Sequence, residues 1–174
     1  AVWPRPSEDH WGLQLWDWCK RLVISGESEV AMHRLAMIPL EKRGQICPGR
    51  ALLLLRCWAR LGAEAQVEKL MIKVGMAGLF QDDSFHQHAV YCARMAKNPT
   101  KALQWARQLE VHRLPMSGWS HCCLVMALGE GGRLGEAERK LRWYVMMGEI
   151  PLIETFAAII AACGAEGAVA RAEW

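Results

Sequence analysis

Apolar positions near the end of the chain fall at helical spacing. Phe156, Ile159, Ile160 and Cys163 follow i, i+3, i+4, i+7, the stripe of a helix with one buried face. Gly164 and Gly167 then interrupt it. The same alternation of stripe and break runs upstream. Predicted helices over 119–128 and 135–147 flank the turn Gly129–Gly132. Gly148 and Pro151 close that pair, because Gly admits a left-handed terminal residue and Pro cannot continue a helix. One unit earlier, Asn98-Pro99 replaces the glycines. Asn serves as N-cap and Pro is pre-set for the first helical position, which predicts a helix over 99–111 that Pro115 ends. Two further pairs are expected at 50–61 with 64–74 around Gly62, and at 11–24 with 27–36 around Ser25-Gly26. Residues 1–9, with Pro4 and Pro6, read as an irregular arm.

The units share one period. Ala102, Ala137 and Ala172 recur at one phase, and Gly62, Gly132 and Gly167 at another, at 35 residues or twice that. A fixed period in the range of roughly 20 to 50 residues marks a supersecondary unit that buries its apolar face only by stacking on copies of itself. The expected fold is therefore all-α, a solenoid of about four to five helix-turn-helix repeats over 10–47, 48–82, 83–117, 118–152 and a truncated 153–174. Small residues on the second helix permit close approach. Leu55, Val90, Val125 and Ile160 recur on the first helix as core.

Composition fits a folded chain of 174 residues, 52% of them apolar. The longest apolar run, Ala51 to Leu55, is far short of the ~20 residues a membrane span needs. A net charge of +3 and a pI near 8.5 leave nucleic-acid binding open. Seven cysteines, an odd number without a C-x-x-C pair, sit mostly among apolar residues and favour a reducing compartment. The chain opens on Ala1 without a signal-peptide core, which fits either a removed targeting segment or an interior portion of a longer protein. The helix expected to start over 168–174 and stop after about two turns favours the second.

These units resemble the pentatricopeptide repeat family. Ile150-Pro151-Leu152-Ile153-Glu154-Thr155-Phe156-Ala157-Ala158-Ile159-Ile160, followed by Cys163, Gly167 and Ala172, is similar to a unit of that family, and Gly132-Arg133-Leu134-Gly135-Glu136-Ala137 is similar to its turn and second-helix opening. The likeness is close over 48–174 and looser over 10–47. Tetratricopeptide repeats, with a period of about 34 and Trp-Leu-Gly-Tyr landmarks, fit less well. The resemblance implies hairpins stacked into a right-handed superhelix, and a protein that binds single-stranded RNA in a plastid or mitochondrion, one base per repeat.

It also implies which residues would read the bases: Leu52 with Asp82, Gln87 with Ser117, Cys122 with Leu152, and Ala157 with a partner beyond Trp174. None is a standard pair. Leu, Cys and Ala supply nothing comparable to an amide or hydroxyl, and a base edge left unpaired against them costs about 1 to 3 kcal/mol per group. The backbone-facing lysine of the family falls on Arg60, Met95, Glu130 and Ala165, of which Arg60 alone is basic and Glu130 is expected to repel phosphate. Trp58, Trp105, Trp119 and Trp143 lie in helical patterns and read first as core or protein interface, with Trp119 the best candidate for base stacking.

Two functions follow. The favoured one is a non-catalytic scaffold that docks to other proteins of a large organellar assembly, such as a ribosome or membrane supercomplex. The alternative is an RNA-binding module in organellar RNA processing, stability or translation. No phosphate loop, nucleophile elbow or convincing carboxylate pair argues for an enzyme, and no cofactor is expected. His88 and Cys92, at i, i+4, with His121 or Cys122 of the next unit, make a weak metal set. Asp82-Asp83 and Glu27/Glu29 read as turn and helix-start charges, and Glu136, Glu138, Arg139 and Lys140 as an ordinary charged outer face.

Overall fold

A computed structural model describes residues 14, 17, 18, 21, 22, 24–42 and 45–167. The expected arm at 1–9, the start of the first helix at Trp11 and the helix at 168–174 lie outside the described residues. The described chain is all-α: α1 (Ser28–Ala36), α2 (Pro48–Arg60), α3 (Glu64–Met76), α4 (Asp83–Met95), α5 (Pro99–Val111), α6 (Gly118–Glu130), α7 (Leu134–Met146) and α8 (Ile153–Ala165). A short 3-10 turn, Leu79–Gln81, precedes α4. A two-residue antiparallel ladder, β1 (Glu41–Lys42) with β2 (Gln45–Ile46), was not expected from the sequence pattern. It is too short to carry the alternation that would reveal a strand. No helix among the described residues is long and apolar enough to cross a membrane.

The helices keep strict phase. α2, α4, α6 and α8 start 35 residues apart, as do α3, α5 and α7, and each of these seven helices has 13 residues. Local chemistry explains their starts. Pro48 and Pro99 occupy the first turns of α2 and α5. The side chains of Asp82, Asn98 and Ser117 accept hydrogen bonds from the backbone N–H groups of Ser84, Lys101 and Ser120. Between helices, Gly62 and Gly132 are left-handed (φ +65° and +73°), and so is Lys97, at the same phase (φ 56°). Arg113 (φ 55°) likewise stands where other units have Gly78 and Gly148. Among the described residues the two non-glycine residues at positive φ thus stand where other units carry glycine, with the same backbone geometry.

α2, α4 and α6 each pack on their own second helix, and every first helix packs on the second helix of the preceding unit and on the adjacent first helices, so α2, α4, α6 and α8 touch in succession. The core runs through the row as two apolar clusters bridged by Tyr91 and Trp105. Burial follows the same period on the second helices: Val67, Ala102 and Ala137, then Met71, Ala106 and Leu141, then Val74, Leu109 and Tyr144. Polar rungs join neighbouring units, with Lys101 Nζ 2.7 Å from Glu68 Oε1 and Asn98 Nδ2 donating to Glu64 Oε2 at 3.2 Å. Leu55, Val90 and Val125 are buried as expected, but Ile160 is 53% exposed. The first three are covered by helices that follow them, whereas no helix follows α8 among the described residues. Ala172 lies outside the described residues.

Candidate functional site

The seven implied reader positions lie on or just before the first helices, and most of their polar atoms are already engaged. Leu52 packs half-buried against the core. Gln87 is half-buried and its Nε2 donates to Asp83 Oδ2 at 2.6 Å, which leaves Oε1 as its uncommitted acceptor. Cys122 is 2% exposed, and its Sγ accepts from the backbone N–H of Leu152 at 3.4 Å. Ala157 is exposed and offers only a methyl group. Among the second readers, Asp82 caps α4 through Oδ1, and Ser117 caps α6 while its Oγ lies 3.1 Å from that of Ser120. Leu152 is an exposed apolar residue. Cys122 and Leu152 are therefore the reader pair joined by a hydrogen bond, and they satisfy each other.

The four positions that the resemblance implies would face phosphate carry little free positive charge. Arg60 is half-buried at the end of α2, Met95 and Ala165 are exposed, and Glu130 is bound by Arg94 at 3.1 Å. In that ion pair a guanidinium from α4 offsets the carboxylate of α6.

What the sequence reading did not assemble is an aromatic and basic cluster across α2, α4 and α6. Trp119, at the second position of α6, lies 5.3 Å from the Tyr91 ring and 5.8 Å, edge-on, from that of His88. Exposed Arg56 donates from Nε to His88 Nε2 at 2.9 Å. Burial, and then the Arg56 charge, push the His88 pKa down to about 4, so its ring is neutral and able to accept. Trp119 keeps 38% of its surface open. Four residues from three helices thus form a chain of contacts, with the partly open indole of Trp119 joined to the Arg56 cation through the His88 ring. Each is unremarkable locally, and the usable signal is the repeat phase, which places the last turns of one first helix beside the first turn of the next.

The weak metal set does not converge, since His88 is bound to Arg56 and Cys122 to Leu152. Among the described residues no group of three or more His, Cys, Asp or Glu is placed to hold a metal ion. Burial raises the Cys92 and Cys123 pKa values to about 12, helped at Cys92 by Glu64 and opposed at Cys123 by Arg94. Both thiols therefore stay protonated and behave as small apolar groups. His121 lies between the Trp143 and Tyr144 rings at 5.5 and 5.0 Å, its pKa lowered by burial and then by Lys140. Of the other tryptophans, Trp58 and Trp105 pack against the core and Trp143 is 47% exposed.

A second ring stack sits on the other side of α4. His86 is fully buried and forms a triangle of tilted rings with Phe80 at 5.0 Å and His112 at 5.5 Å, which lie 5.2 Å from each other. Neither of its ring nitrogens has a hydrogen-bond partner among the described residues. Its pKa falls to about 4, through burial first and the neighbouring His112 second. Asp83 and the Asp82 backbone oppose the shift, the latter without completing a hydrogen bond of acceptable geometry.

No protein-family model matches the chain, and no curated protein matches it. The functional reading therefore rests on the residues themselves.

Proposed function

We propose that this chain is a degenerate pentatricopeptide-like α-solenoid that acts as a non-catalytic scaffold, docking to other proteins within a large organellar assembly, in a plastid or mitochondrion. The observation that carries this reading is the state of the reader positions: Leu52, Leu152 and Ala157 have no polar side-chain atom, Cys122 and Ser117 are bonded inside the protein, and Asp82 and Gln87 keep one oxygen each, Oδ2 and Oε1, outside the bonds they make. At five of the seven positions a base edge would disturb an internal bond or meet an apolar surface, and either loses affinity. The cluster of Trp119, Tyr91, His88 and Arg56 supports protein docking, because Trp, Tyr and Arg are the residue types that carry most interface energy.

The same cluster favours one second reading. An open indole joined through His88 to an exposed guanidinium also suits a stacked base and its phosphate. Fluorescence anisotropy with pooled single-stranded RNA at physiological salt separates the two. Negligible binding, together with protein partners recovered by gentle affinity purification and lost on Trp119→Ala, is the result expected of a scaffold. Salt-sensitive RNA binding that weakens on Arg60→Ala would overturn it in favour of the RNA-binding alternative.

A further inference from the structure

The outer face of the second helices is neither mixed in charge nor ordinary. Each second helix buries one stripe and exposes the opposite one, and because burial repeats at 35 residues the three exposed stripes occupy the same phase of their units. In α3 the exposed stripe is Lys69, Ile72, Lys73 and Met76. The same phase in α5 is Gln104, Arg107, Gln108 and Val111, of which Gln108 is half-buried. In α7 it is Arg139, Arg142, Trp143 and Met146. These twelve positions hold five cations and no anion.

Three of the acidic residues that made this face look balanced in sequence are occupied elsewhere or buried. Glu136 is bound by Arg133 at 2.6 Å, Glu138 is buried, and Glu68 is held by Lys101. Glu110 flanks the stripe, about 60° around α5 from Arg107. Among the described residues, Lys69, Lys73, Arg107 and Arg139 make no ion pair. At the end of each stripe stands an apolar residue in repeat phase: Met76, Val111 and Met146 are 85%, 71% and 79% exposed. Three successive units thus expose an apolar tip beside uncompensated cations.

We propose that this outer face is a docking surface for an acidic amphipathic segment of a partner protein, lying across α3, α5 and α7. Its carboxylates meet the cations and its apolar side chains cover Met76, Val111 and Met146. Charge complementarity selects the acidic partner, since Lys69, Lys73, Arg107 and Arg139, which make no ion pair among the described residues, attract carboxylates and repel basic segments. The apolar tips select a protein segment over a polyanion, because phosphates gain nothing from Met and Val, whereas flexible Met side chains repack readily against apolar groups. This surface is distinct from the Trp119 cluster, which lies on the first helices.

The test is fluorescence anisotropy at about 150 mM salt with a labelled helical peptide that carries Glu and Leu along one face. The intact protein should bind it, and a peptide with Leu replaced by Ser should bind at least about tenfold more weakly. The variant K73E/R107E/R139E, and separately M76S/V111S/M146S, should each lose at least about tenfold in affinity, a free-energy change of about 1.4 kcal/mol. Trp119→Ala should leave peptide binding unchanged, which separates this surface from the proposed scaffold site. All substituted residues are exposed, so circular dichroism should report an unaltered fold, and Lys/Arg→Gln replacements at the same positions serve if charge reversal unfolds the chain. Equal affinity for wild type and the charge variants would overturn the proposal. So would binding through these residues of RNA, or of vesicles containing phosphatidylserine, without binding of the peptide.

Discussion

Acid should loosen this fold through His86, and the size of the effect follows from its surroundings. The ring is fully buried against Phe80 and His112, lacks hydrogen-bond partners among the described residues, and has its pKa lowered to about 4 from an ordinary value near 6.5. The folded value lies below the unfolded one, so between those two pH values the unfolded chain binds the extra proton. Stability is therefore complete above about pH 6.5, falls as pH drops through that window, and loses about 3 kcal/mol from this one residue by about pH 4. Around pH 5 the loss comes to about 2 kcal/mol.

The perturbation is His86→Leu, which removes the proton site and two buried, unpartnered nitrogens while keeping an apolar group in the stack. At neutral pH the variant should lie within about 1 kcal/mol of wild type, because lost ring packing opposes relief of the unsatisfied atoms. Urea unfolding at pH 7 and pH 5 measures both proteins. His88, whose pKa is also lowered to about 4, remains in each and cancels in the comparison. The wild type should lose about 2 kcal/mol more than His86→Leu on acidification. Equal losses would refute the reasoning and place the acid sensitivity elsewhere.

Other outcomes can be checked alongside. Lys97 occupies a left-handed position that glycine holds in neighbouring units, so Lys97→Gly should stabilise the protein by about 1 kcal/mol in thermal or urea unfolding, and Gly132→Ala should cost about the same. Cys92 and Cys123, buried and with pKa values near 12, should resist iodoacetamide around pH 8 in the folded protein and react after denaturation, as read by peptide mass spectrometry. If a protein partner covers the open 38% of Trp119, about 90 Å² of a tryptophan surface is removed from water, worth about 2 kcal/mol. Trp119→Ala should then weaken the recovered complex roughly thirtyfold in a titration.

Much of the helical organisation was legible in the residues. Gly62, Asn98-Pro99 and Gly132 mark breaks by backbone chemistry that acts within a few residues, and apolar stripes mark buried faces by helical geometry alone. The helix expected over 99–111 is observed as Pro99–Val111, and those expected at 27–36, 50–61, 64–74, 119–128 and 135–147 differ by one or a few residues at their ends. Less legible were features without a local signature. The ladder at 41–46 is too short to alternate, and Lys97 and Arg113 adopt positive φ because flanking helices impose it, against their own preference.

The candidate sites divide in the same way. The amino-acid order by itself determined that Leu52, Leu152 and Ala157 lack polar side-chain atoms, since chemical identity needs no neighbour. Tertiary structure decided that Cys122 is bound to Leu152, that Arg94 holds Glu130, that Ile160 is exposed, and that Arg56, His88, Tyr91 and Trp119 converge. It also decided that Glu136 is spent on Arg133 and does not balance the cations outside α3, α5 and α7. The physical reason is range: capping and periodicity act along the chain, whereas burial, ring contacts and ion pairing depend on which helix lies alongside.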